Sequence, residues 1–117
     1  MERILAAFRH SAAGWRHALR TEAAVRQEVA VIALALPASM LMTDDNWHRL
    51  ALVGVLLLVL AVEFLNTAIE KLADHVRPDI HPEIKVVKDL GSVAVLTTIV
   101  LAGLVWSVAL VERVSMH

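Results

Sequence analysis

The stretch VEFLNTAIEKLAD (62–74) closes a long apolar run and carries Glu63, Asn66, Glu70 and Asp74. On a helix, Glu63, Glu70 and Asp74 fall within about 40° of one another, and the line from first to last rises about 16 Å. Asn66 and Thr67 flank that line. Lys88 and Asp89 open the next apolar run, level with Glu70 and Asp74 if the two helices are antiparallel, and Glu22 ends an N-terminal basic stretch at a similar height. Several carboxylates at one depth suit a hard divalent cation such as Mg²⁺, which takes few protein ligands and keeps phosphate oxygens and water. A lysine beside them suits phosphate charge. A glutamate set slightly deeper, away from bulk water, suits a general base. Together these groups match phosphoryl transfer to a hydroxyl dissolved in a membrane, with metal and nucleotide on the water side. The competing reading is that the carboxylates pair with Lys71, Lys88 or arginines and only hold helices together. It is weakest for Glu63, because no basic residue shares its depth in any apolar run.

The elements that must position these groups follow from hydropathy. The chain has 117 residues, is 58% hydrophobic and lacks cysteine, so it fits one domain with no disulfide, thiol nucleophile or cysteine metal site. Its mean hydropathy of +0.65 is too high for an ordinary soluble domain of this size. Four glycines and three prolines favour helices over a β-barrel. Ile4, Phe8, Trp15 and Leu19 recur at helical spacing among Arg3, Arg9, Arg16 and Arg20, the pattern of a helix lying in the membrane interface. The N-terminus has no signal-peptide pattern, because arginines recur throughout it.

Val29–Thr43 is uncharged for 15 residues, and counting from Ala23 brings it to the roughly 20 residues needed to cross about 30 Å of hydrocarbon. TDDNWHR (43–49) is expected as a polar break of seven residues. Leu50–Val62 is uncharged and runs on through the acidic stretch to about Asp74. HVRPDIHPEIKVVKD (75–89) reads as the second break, with Pro78 and Pro82 marking non-helical chain. Leu90–Val111 is uncharged for 22 residues. The expectation is an all-α membrane protein forming a single domain over 1–117. A surface helix covers 1–22, and transmembrane helices cover about 24–43, 48–70 and 89–111.

Five arginines precede or open the first span, and Lys71, Arg77, Lys85 and Lys88 flank the second break. The positive-inside rule therefore puts the N-terminus and the 71–88 loop in the cytoplasm and the C-terminus outside. None of the six histidines lies in an uncharged span, against a membrane haem site, and no nucleotide-loop or soluble-kinase motif is present. No nucleic-acid partner is expected.

The blocks VEFLNTAIEKLAD and KDLGSVAVL (88–96) resemble the bacterial integral-membrane diacylglycerol kinases, and EAAVRQE (22–28) resembles their Gram-negative branch. The likeness runs from Arg3 to Trp106 with the same spacing between blocks. It implies a homotrimer in the bacterial inner membrane, with active sites shared between subunits. Each site would pass the γ-phosphate of MgATP to diacylglycerol, giving phosphatidate for lipid recycling. By the same likeness Glu63 is the general base at the lipid hydroxyl, and Glu22 and Glu70 hold Mg²⁺ and the nucleotide. Lys88 and Asp89 contact ATP, and Arg3, His10, Asp79, Ile80 and His81 match further ATP-contacting positions. Arg16, Ser92 and Trp106 match the lipid side, while Asn66 and Asp74 orient their neighbours.

His10 replaces the tyrosine common in the family, Ala12 a frequent tryptophan, and the loop RPDIHPEIK (77–85) is richer in proline, more like the related undecaprenol kinases. EAAVRQE and Trp106 nevertheless favour diacylglycerol as the expected acceptor, with undecaprenol as the alternative. A four-span proton-coupled multidrug transporter is a distant one.

Overall fold

The structure, a computed structural model, describes residues 1–115. Four helices follow one another: α1 (Glu2–Thr21), α2 (Ala23–Met42), α3 (Asn46–Val76) and α4 (Pro82–Ser115). The all-helical expectation holds. By length and composition α2, α3 and α4 can each cross a membrane. A four-span transporter is not what these residues build.

Glu22 is the elbow. Its backbone is extended (φ −114°, ψ 108°), so it ends α1 and caps α2. Its own N–H still donates to Ala18 O at 2.8 Å, and Arg26 Nη1 donates to Leu19 O at 2.9 Å and Arg20 O at 3.2 Å. The guanidinium thus satisfies carbonyls that the end of α1 would otherwise leave open. Below the elbow, Ala18, Val25 and Leu60 are buried together, with Val29, Ile32 and Phe64 against them. Trp15 meets Phe64 edge to face, ring centres 4.8 Å apart, which ties α1 to α3 at the depth of the acidic stripe.

Pro37 lies inside α2 and lacks the N–H that would reach Ala33 O. The buried Ser39 hydroxyl donates to Leu36 O at 2.8 Å beside it. In α3, Val55 and Val59 are buried against Ala102 of α4, with Leu56, Val105 and Trp106 around them. Trp106 Nε1 donates to Leu52 O at 3.1 Å, fixing the height of α4 along α3. α3 is the central element, and α4 buries only Gly91 and Ala102. Large side chains such as Leu34, Leu65, Leu104 and Val111 are exposed all round, which suits lipid and not water.

Two breaks are shorter than the sequence predicts. Between α2 and α3 only Thr43, Asp44 and Asp45 are non-helical, because Asp45 Oδ1 accepts from the N–H groups of Trp47 (2.7 Å) and His48 (3.3 Å) and starts α3 at Asn46. Pro82 does not mark non-helical chain. It is the first residue of α4, where its missing N–H is no loss and its fixed φ suits the helix. His81 caps it: Glu83 N–H donates to His81 Nδ1 at 3.2 Å and Lys85 N–H to His81 O at 3.0 Å.

The two N–H groups, His48 first, hold the Asp45 carboxyl below the usual carboxylate range. A lowered folded pKa means that this contribution is complete above the unfolded value and fades as pH falls through the folded one. Asp45→Ala should therefore lower the thermal midpoint in detergent at neutral pH, and the gap from wild type should close in acid. A gap that is the same at both pH values would remove the carboxylate cap as its cause.

Candidate active site

α3 delivers the stripe, the elbow delivers Glu22, and the start of α4 delivers Lys88 and Asp89. Glu22, Glu70 and Glu28 all lie within electrostatic reach of Glu63. Glu63 has no ion-pair or hydrogen-bond partner among the described residues. Asn66 is buried and its Nδ2 donates to Glu70 Oε1 at 3.2 Å. Glu22 lies 3.7 Å from Lys71 Nζ, a long and half-exposed pairing. Asp74, by contrast, accepts from Lys88 Nζ at 2.6 Å. The helix-fastening reading therefore fits Asp74 and fails for Glu63.

A second cluster lies around the α3–α4 loop. Asp79, Ile80, His81, Lys88 and Asp89 line one cavity of about 240 Å³, together with Pro78, Ile84 and Lys85. Arg77 Nε donates to both Asp79 oxygens, at 3.1 and 3.3 Å, and Lys85 Nζ donates to Asp89 at 2.7 Å. Both acids that line the cavity, Asp79 and Asp89, are thus matched by a cation, while Lys88 on its wall holds Asp74 of α3.

Among the described residues no three acidic or imidazole groups converge as a closed metal site. Two hard-oxygen carboxylates, Glu22 and Glu70, each lie within electrostatic reach of Glu63. That donor set suits a cation which completes its shell with phosphate oxygens and water.

Other sequence-selected residues lie apart. Arg3, His10 and Arg16 are exposed along α1, and Ser92 is exposed on α4. Trp106 lines an apolar groove of about 460 Å³ between α2, α3 and α4, with Leu34, Leu56 and Ile99 among its walls.

One residue escaped sequence reasoning. Glu28 reads as an interface residue at the start of a span, yet its Oε2 is buried without a hydrogen-bond partner. It heads an apolar cleft of about 240 Å³ whose walls include Ile32 and Val59 and which shares Val31, Leu56, Ile99 and Ala102 with the larger groove. The available signal was its place in EAAVRQE, six residues after Glu22.

Three helices long and apolar enough to cross a membrane, with acids and lysines gathered around the α3–α4 turn, define the class as a membrane protein. The prokaryotic diacylglycerol kinase family model matches residues 9–110, and this chain belongs to that family. A Pseudomonas aeruginosa diacylglycerol kinase is 37% identical over 110 residues, 94% of this chain and 89% of that protein. One from Escherichia coli (strain K12) is 37% identical over 108 residues, covering 92% and 88%. One from Haemophilus influenzae is 28% identical over 98 residues, covering 84% and 83%.

Proposed function

We propose that this chain transfers the γ-phosphate of ATP to the hydroxyl of diacylglycerol, forming phosphatidate and ADP for lipid recycling. Family membership and relatives named diacylglycerol kinase support the acceptor over undecaprenol. The observation that carries the reading is Glu63: a carboxylate with no basic partner among the described residues, within electrostatic reach of Glu22, Glu70 and Glu28, the last of which lines the apolar cleft.

In this reading the acyl chains lie along the cleft and the groove that reaches Trp106, with Arg16 and Ser92 on the lipid side. The acceptor hydroxyl meets Glu63, and the unpaired Glu28 oxygen is a hydrogen-bond acceptor for the glycerol end. The hydroxyl oxygen forms the new bond to the γ-phosphorus as the bond from that phosphorus to the β-bridging oxygen breaks, and Glu63 takes the hydroxyl proton. Glu22 and Glu70 would hold Mg²⁺, which when bound neutralises phosphate charge. Lys88 neutralises phosphate after exchanging Asp74 for it. Asp79, Ile80, His81 and Asp89 hold the rest of the nucleotide, with Arg3 and His10 reaching it from α1. Asn66 and Asp74 orient these groups.

The membrane is the bacterial inner membrane. Its cytoplasmic face holds the N-terminus and the 71–88 loop, as the lysine and arginine distribution favours, and the C-terminus is periplasmic. Copies of the chain form a homotrimer, a state that the face of α4 turned away from α3, along which large apolar side chains are exposed, accommodates.

The test is ATP consumption by the purified protein in detergent micelles, with diacylglycerol or undecaprenol as the sole acceptor. Faster turnover on diacylglycerol is expected. Preference for undecaprenol would replace the acceptor and keep the catalytic roles, and silence with both would overturn the kinase reading.

A further inference from the structure

Of the four glycines, Gly14, Gly54 and Gly103 each have open space where a side chain would go. Gly91 does not. It is buried on α4, two residues after Asp89, and faces the buried Asn66 of α3. A Cβ placed on Gly91 would overlap Asn66 Oδ1 and stand 3.2 Å from Asn66 Cγ.

The orientation of that carboxamide is fixed by its other end. A carboxylate only accepts, so the group that meets Glu70 Oε1 at 3.2 Å must be the amide nitrogen. The oxygen is then turned toward α4, where it is buried with no conventional donor. The bare backbone of Gly91 lies against it, a close approach that the missing side chain permits.

We propose that Gly91 is a positioning residue for the metal–nucleotide end of the site: by presenting bare backbone it lets Asn66 lie flat against α4 and aim its amide at Glu70. An added methyl group leaves two outcomes. Either the carboxamide rotates and its nitrogen leaves Glu70, or α3 and α4 part and carry Glu70 away from Lys88 and Asp89. Both uncouple Glu70 from the start of α4. The inference rests on the reading that Glu70 holds the metal and nucleotide.

The test is a double-mutant cycle on the purified protein in micelles, with Gly91→Ala, Asn66→Ala and the double variant. It reads kcat and the KM for MgATP, and in parallel Mn²⁺ binding by EPR with a non-hydrolysable ATP analogue. Gly91→Ala and Asn66→Ala should each lower kcat/KM for MgATP by on the order of tenfold to a hundredfold, the range for a lost hydrogen bond to a charged group. Both should also weaken Mn²⁺ binding. The double variant should be no worse than Asn66→Ala, because the overlap has gone with the carboxamide.

Wild-type kinetics in Gly91→Ala, or a double variant that loses the product of both effects, overturns the proposal. Matched, non-additive losses with Mn²⁺ binding intact would uphold the contact and instead overturn the metal role of Glu70. If Gly91→Ala does not fold by far-UV circular dichroism, recovery of folding in the double variant supports the proposal. Failure of the double variant to fold overturns it.

Discussion

Glu63→Gln is expected to abolish turnover while MgATP still binds. The substitution keeps the shape of the side chain and removes only its capacity to take a proton. A positioned base contributes on the order of a hundredfold to ten-thousandfold, and no other carboxylate is placed to replace this one on the same proton. Glu28 lies within electrostatic reach of Glu63, but in the proposed reading its free oxygen holds the glycerol end of the lipid. Glu22, Glu70 and Lys88 are untouched by the change, so nucleotide affinity should stay close to wild type. Equilibrium binding of a fluorescent ATP analogue beside steady-state turnover separates the two effects. Loss of nucleotide binding, or turnover at the wild-type rate, would remove Glu63 from the role of base.

The stripe from Glu63 to Asp74 was legible because helical periodicity fixes which residues share a face, whatever the helix packs against. The spans were legible because uncharged runs of this length have few soluble uses. Pairing was not. Lys85 and Lys88 are three residues apart and look equivalent, yet one holds Asp89 on its own helix and the other reaches Asp74 on α3. Only the crossing of α3 and α4 decides which. Pro82 was read as loop because a proline looks the same beyond a helix as at its first residue, and the difference lies in the His81 cap. Glu28 was hidden for a related reason: a carboxylate at the edge of a span reads as interfacial until the packing of α2 on α3 closes water away from one of its oxygens. Arg26, counted only as a positive charge, also closes the end of α1 and so sets the elbow that aims Glu22.

Glu70→Gln should give the opposite kinetic pattern to Glu63→Gln. Replacing one of two carboxylates leaves Glu22 as the remaining anionic donor, and a hard cation loses both charge and a ligand oxygen. Outer partners of metal ligands already cost 10- to 100-fold when altered, so the KM for MgATP should rise by at least about tenfold. Because the defect lies in occupancy, excess Mg²⁺ at fixed ATP should recover much of the rate, whereas no concentration of Mg²⁺ should recover Glu63→Gln. Asn66 adds a further distinction. Its amide nitrogen now faces a carboxylate, and a glutamine can still accept from it through its own oxygen. The α3 geometry is therefore expected to persist, leaving charge as the main quantity changed. The measurement is an Mg²⁺ titration of initial rates at several ATP concentrations for wild type and both variants. If Glu70→Gln keeps the wild-type Mg²⁺ dependence and loses kcat alone, the carboxylate acts on the reacting groups directly, and the division of labour between Glu63 and Glu70 must be reversed.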